Sequence, residues 1–298
     1  MTEPVGRLHG AVRSATATLH RTAARWRRRP PRDLDLGQVD TDGFTMVQLL
    51  DETDVRDVRA VVDTVIADND AGFFASPAHA WGDEARRVDQ VLKARLAGRL
   101  ADLLPGYEPF MVAITSKPRH SSQQIKFHHD WTYTDERRHH PVFLWCPLVD
   151  CTAHSGALQV IPGSHLWSER IRPSRTLEAT EHLQGELEPL AVELAFRAGD
   201  AVAFHPGTLH GSEPNSSPID RPAITIALAP QDAQLVHFHL DQGGELSGFN
   251  VDESFFTLNP YGQPPAAADP IAPWSTALTE QDLRDALHDG ARPEEAGR

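Results

Sequence analysis

Cysteine and long apolar runs are nearly missing from this chain. Its two cysteines, Cys146 and Cys151, stand five apart. That spacing fits neither a C-x-x-C redox motif nor a zinc knuckle, and two thiols make no disulfide framework. Both are expected to be reduced and buried. No apolar stretch approaches the roughly 18–20 residues needed to cross a bilayer. The N-terminus also lacks the apolar segment of a secretory signal, so a cytoplasmic location is expected. Lysine is scarce too, at three of 298 residues, and basic charge is carried almost wholly by arginine.

That basic charge is unevenly placed. Residues 1–32 hold eight arginines against Glu3, a head of net +7, which leaves −21 on the rest of a chain whose total is −14. A body so acidic repels nucleic acid and anionic membranes, and neither is expected as a partner. The head reads as a solvated basic extension, residues 1–34. Val12, Ala15, Leu19, Ala23 and Trp26 fall roughly on one helical face over 12–28, and Pro30-Pro31 ends that pattern.

The folded body is expected to open with a short strand at 43–47. Val55, Val58, Val61, Val62, Val65 and Ile66 then fall at helical spacing, as do Val88, Val91, Leu92, Leu96 and Leu100 over 83–104. From Phe110 to about Pro230 the apolar period shortens toward two, in brief runs at 111–115, 142–145, 157–161, 201–204 and 223–228. Short strands with no helices between them indicate a sandwich or barrel rather than βαβ units, so the class is α+β. Residues 265–298 read as a Pro/Ala-rich tail with a short helix near 279–288.

Sixteen histidines make histidine alone uninformative, and spacing must choose among them. In Lys126-Phe127-His128-His129-Asp130, residues 128 and 130 share one face of an extended strand while His129 points away. An imidazole and a carboxylate so placed offer two metal ligands. A second imidazole would complete the two-histidine, one-carboxylate set that marks non-haem Fe(II) oxygenases. The segment from Gly199-Asp200 to His210-Gly211-Ser212 supplies His205 and His210. His210 follows the Pro206-Gly207 break and can be re-aimed, whereas His205 is read as packing at the strand's end. Arg221, eleven residues on, opens the next strand. Its planar, permanently charged guanidinium suits a carboxylate, and Ser212 can add a hydroxyl to the same group.

These marks, with Ser155-Gly156-Ala157-Leu158 through Pro162-Gly163-Ser164-His165, make the stretch from Gly43 to Pro230 resemble the phytanoyl-CoA dioxygenase family of 2-oxoglutarate oxygenases. The resemblance implies a double-stranded β-helix (jelly-roll, cupin-like) core with flanking N-terminal helices, spanning residues 35–264. It implies Fe(II) at His128, Asp130 and His210, 2-oxoglutarate at Arg221 and Ser212, and O2 as the second cosubstrate. Thr115 matches a polar position that contacts the cosubstrate in some relatives, and Trp145 matches an aromatic that lines the pocket. His165 belongs to a turn that is structural in the family. Relatives that halogenate lack the carboxylate, so Asp130 disfavours halogenation.

The implied activity is hydroxylation of an unactivated C–H in a small organic metabolite, with 2-oxoglutarate decarboxylated to succinate and CO2. The same cofactors also serve desaturation, epoxidation and cyclisation. A jelly roll that binds metal or ligand without turnover is the alternative from another class, and a zinc hydrolase is a third; neither has a use for Arg221. Loops 131–141 and 166–190 are expected to face the substrate. An arginine-, proline- and alanine-rich composition fits a high-GC bacterial gene, a setting in which such enzymes tailor secondary metabolites.

Overall fold

The computed structural model describes residues 30–67, 72–79, 82–174, 177–267 and 269–289, so the helix expected over 12–28 lies outside the described residues. Two antiparallel sheets face each other. The larger has six strands in the order β1 (Phe44–Gln48), β8 (Asp200–Phe204), β5 (Val142–Pro147), β10 (Arg221–Pro230), β3 (Tyr107–Lys117) and β2 (Phe74–Ala75). The smaller runs β4 (Ile125–His128), β9 (His210–Ser212), β6 (Leu158–Val160) and β7 (Val192–Glu193). From β3 to β6, and again from β7 to β10, consecutive strands alternate between the two sheets, as in a jelly roll.

The apolar runs of the large sheet are continuous because both of its faces are buried. Val112, Ile114, Leu144, Ala203, Ile224 and Ile226 face outward onto the helices Glu52–Ile66 and Asp83–Leu103, through Val58, Val62, Leu92, Leu96 and Leu100. Their neighbours in sequence, Met111, Ala113, Phe143, Trp145, Val202 and Phe204, face inward between the sheets. Period two thus divides each strand between two cores. On this inner face β3 also presents Thr115 and Lys117, and β10 presents Arg221 and Ala223. The register sets Thr115 opposite Ala223 and Lys117 opposite Arg221.

Local chemistry fixes the helices. Asp51 accepts from the backbone N–H groups of Thr53 (2.8 Å) and Asp54 (2.9 Å) in a reciprocal cap that starts Glu52–Ile66. On the longer helix, buried Asp89 accepts from the Val112 N–H at 2.7 Å and pairs with Lys93 at 2.9 Å, which ties the helix to β3. Burial raises the Asp89 carboxyl, and the Lys93 and Val112 hydrogen bonds oppose that shift.

Beyond β10 lies a third sheet that the apolar periodicity did not signal, with β11 (Val236–Leu240), β12 (Leu246–Asn250) and β13 (Pro270–Ile271). Helix Glu280–Asp289 follows, and its Leu283 is fully buried beside Leu183 and Leu187. No helix among the described residues is long and apolar enough to cross a membrane.

Candidate active site

Three side chains meet where β4 and β9 pair at the open end of the jelly roll. Direct pairing of His128 with His210 brings their ring centroids to 4.3 Å. Asp130 lies two residues beyond the end of β4 rather than on it, with its N–H donating to the Pro206 carbonyl at 2.9 Å. Its Oδ2 stands 3.8 Å from His210 Nε2, and one donor atom from each of the three residues falls within 4.8 Å of the other two. The expected shared face is therefore reached by irregular backbone past the strand's end, not by strand alternation.

Hydrogen bonds set both imidazoles. His128 Nδ1 donates to the Lys126 carbonyl and His210 Nδ1 to the Thr208 carbonyl, each at 2.9 Å. A carbonyl only accepts, so the proton sits on Nδ1 and each Nε2 lone pair is free for a cation. Burial, and then His210, hold His128 down at about 3, so its ring is neutral. Asp130 is pushed up by burial, a shift opposed by His210 and Arg172. Arg172 also braces that loop: its Nε donates to the Asp130 carbonyl at 2.9 Å and its guanidinium pairs with Glu136.

The histidines open into a cavity of about 310 Å³. Thr115, Trp145, Ser212 and Arg221 all line it, so all four residues expected at the cosubstrate meet the same space as His128, Asp130 and His210. Arg221 is buried, and its Nε and Nη1 have no hydrogen-bond partner; nor has Thr115 Oγ1. Buried polar atoms are normally satisfied, so three orphans together mark where a ligand belongs. Among the described residues no carboxylate lies within ion-pair distance of Arg221. Its guanidinium carbon stands 5.2 Å over the Trp145 ring, which holds the group flat without neutralising it.

The remaining expectations have mixed outcomes. Trp131 and Tyr133 line the cavity, but among the described residues nothing from 166–190 does. That loop winds into short helical turns whose Leu183 and Leu187 are buried beside Phe127 and Leu209. It braces the site through Arg172 and through Gln184, which bonds both backbone groups of Phe127. The far wall comes instead from 73–78 and from Phe255, Phe256 and Tyr261. His165 packs under β1, with its Nε2 against the Asp40 carbonyl at 3.0 Å. His205 Nδ1 accepts from the Gly207 N–H at 2.9 Å, and His140 is exposed outside the cavity. The sequence reading missed Lys117. Its signal was available: in Thr115-Ser116-Lys117, a lysine shares the inner face with Thr115.

A family model described as Phytanoyl-CoA dioxygenase (PhyH) matches residues 13–223. A curated relative from Stutzerimonas stutzeri, named a probable alpha-ketoglutarate-dependent hypophosphite dioxygenase, is 29% identical over 122 residues, 38% of this chain and 42% of that protein. The match thus spans about two fifths of that relative's length. The crystal structure of SnoK, a non-heme alpha ketoglutarate dependent carbocyclase from nogalamycin biosynthesis, aligns at TM-score 0.53 and 20% identity, covering 70% of this chain and 90% of that one. The epimerase SnoN in complex with Fe3+, alpha ketoglutarate and nogalamycin RO aligns at 0.51 and 19%, covering 89% and 98%. AviO1 from Streptomyces viridochromogenes aligns at 0.50 and 20%, covering 69% and 98%. At such identities these structures establish the fold. The family model spans well over half of the chain, which therefore belongs to the phytanoyl-CoA dioxygenase family of Fe(II)/2-oxoglutarate-dependent oxygenases.

Proposed function

We propose that this protein hydroxylates a C–H bond of a largely apolar, uncharged organic molecule, with Fe(II) held by His128, Asp130 and His210 and 2-oxoglutarate held by Arg221 and Ser212. One observation carries the reading. A His–His–carboxylate cluster and a buried guanidinium with two unpartnered nitrogens share one cavity. Bound there, iron with 2-oxoglutarate and O2 supplies the oxidising power for C–H cleavage, and the cosubstrate leaves as succinate and CO2.

The chain's own residues do the rest. His128 and His210 present Nε2 because their Nδ1 protons are engaged by the backbone. Arg221 takes the far carboxylate in a two-pronged hydrogen bond, with Thr115 Oγ1 as a further donor. Trp131, Tyr133, Phe255 and Phe256 exclude water and offer flat apolar walls to the substrate, with exposed Tyr261 at the rim. Among the described residues, Arg221 and Asp130 are the only Arg, Lys, Asp or Glu side chains that line the cavity. An anion as small as hypophosphite, the substrate in the relative's name, would leave most of this apolar space unfilled.

Anaerobic addition of Fe(II) and 2-oxoglutarate should produce a visible charge-transfer band. Admission of O2 should then yield succinate slowly, and faster with the right apolar substrate. Absence of both band and succinate would refute the reading; acceleration by hypophosphite but by no apolar compound would refute the substrate class. A second reading keeps the cofactors and ends in ring closure or epimerisation, as the names of SnoK and SnoN indicate for those proteins. The product's mass separates the outcomes, since hydroxylation adds one oxygen.

Gly211 allows the two histidine strands to approach. A Cβ there would lie 2.8 Å from the Ile125 carbonyl oxygen and 3.2 Å from the Phe127 nitrogen, both backbone atoms of β4. Gly211→Ala should push β9 from β4, spread His128 from His210, and weaken Fe(II) affinity by about 10–100-fold in a competition titration. Unchanged affinity would mean that the strands relax without moving the rings.

A further inference from the structure

Lys117 is fully buried and bridges the two sheets at the closed side of the candidate cosubstrate pocket. Its Nζ donates to Ser212 Oγ at 2.8 Å, to the Ser212 carbonyl at 3.2 Å and to the Glu213 carbonyl. An ammonium donates only, so Ser212 Oγ must accept from it. The serine's own proton is thereby turned away from the lysine, while its hydroxyl lines the cavity that holds Arg221.

We propose that Lys117 is a positioning residue for the cosubstrate: it locks Ser212 as an acceptor on one side, so that the hydroxyl proton is delivered to the distal carboxylate of 2-oxoglutarate beside Arg221. This rests on the cosubstrate reading above and adds a residue and a proton balance to it. The surroundings are built around this lysine. Gly156 has φ +68°, and a Cβ on it would lie 3.0 Å from Lys117 Cδ, 3.3 Å from its Nζ and 2.7 Å from the Glu213 carbonyl oxygen. The Ser155-Gly156 turn is thus the wall that makes room for the side chain. Fully buried Asn215 holds the Lys117 carbonyl at 3.0 Å.

The register then sets Lys117 directly opposite Arg221, two like charges on one inner face. Like charges so paired destabilise a sheet. A carboxylate bound in the cavity at Arg221 and Ser212 offsets that conflict. Burial, and then Arg221, lower Lys117 to about 7, against opposing influences from Glu213 and Cys151. An arriving carboxylate favours the ammonium, so binding above pH 7 takes up a proton. Affinity should fall as pH rises from 7 toward the lysine's higher value in the complex.

The test is calorimetric titration of 2-oxoglutarate into the Fe(II)-loaded protein, without O2, at pH 6.5 and 8.5. Lys117→Met should weaken binding by about tenfold or more at pH 6.5 and abolish the pH dependence. Combined with Ser212→Ala it should add little to the loss from that change alone, because both act through one hydroxyl. Binding of 2-oxopentanoate, which lacks the distal carboxylate, should be unchanged in Lys117→Met. A loss under twofold for 2-oxoglutarate, full additivity with Ser212→Ala, or an equal loss for 2-oxopentanoate would overturn the proposal. If Lys117→Met does not fold, the wild type decides: at pH 8, buffers of different ionisation enthalpy must report net proton uptake, and none would overturn it. Arg221→Ala is the control, since unaltered 2-oxoglutarate affinity in that variant would instead overturn the cosubstrate reading.

Discussion

Asp130→Ala should lower 2-oxoglutarate turnover by on the order of 1000-fold or more while leaving the metal-free protein as stable as the wild type, or more so. The two effects have one cause. Asp130 is a half-buried carboxylate whose ionisation is disfavoured by desolvation, with His210 and Arg172 in opposition. A folded-state value above the unfolded one means the folded form holds the proton more tightly. Its stability therefore falls as pH rises from the ordinary carboxylate value through the raised folded-state value. Alanine removes that cost without disturbing the brace, because Arg172 grips the Asp130 carbonyl and Glu136 rather than the carboxylate. A residue kept at a cost to folding is kept for what it binds. Melting curves of the metal-free proteins, beside succinate release from the loaded ones, separate the two effects. A variant that melts several degrees lower would make Asp130 a structural partner of His210; one that turns over normally would remove it from the ligand set.

Much of this site was legible because it follows from spacing. His128 and Asp130 stand two apart, and Arg221 begins a strand whose alternation, through Ala223 and Ala227, points inward. The lengths of the helices Glu52–Ile66 and Asp83–Leu103 were visible in their apolar period. What stayed hidden depends on contacts distant in sequence. Phe255, Phe256 and Tyr261 reach the cavity from a segment with no periodic signal, placed by the short turn Phe255–Leu258. That turn is anchored by Glu253 to Lys93 on the long helix at 2.9 Å, across 160 residues of chain. The loop 166–190 is expected at the substrate because loops on a barrel carry specificity, yet Leu183 and Leu187 pack it into the apolar cluster with Phe127 and Leu209. Strand alternation likewise could not show that β4 stops at His128, since Asp130 is set by its backbone bond to Pro206.

Arg221→Ala should raise the dissociation constant of 2-oxoglutarate by about 100-fold, the scale on which a buried charge loses its partner. The loss should be specific to the distal carboxylate. A 2-oxo acid without that group should bind both proteins alike, because its chelating end reaches only the histidine and aspartate side. Stability again separates function from structure. Burial lowers the Arg221 guanidinium to about 10, and its Nε and Nη1 have no partner. A folded-state value below the unfolded one means that folding disfavours the cation, a cost fully present at every pH below about 10 and relieved only above it. Arg221→Met keeps the apolar stem against Trp145 and removes the charge, so the metal-free variant should melt at or above the wild-type temperature. Saturating 2-oxoglutarate with metal should then stabilise the wild type far more than the variant, by mass action on the folded state. If the methionine protein instead melts well below the wild type and binds 2-oxoglutarate as tightly, Arg221 serves the fold and the carboxylate must be held elsewhere.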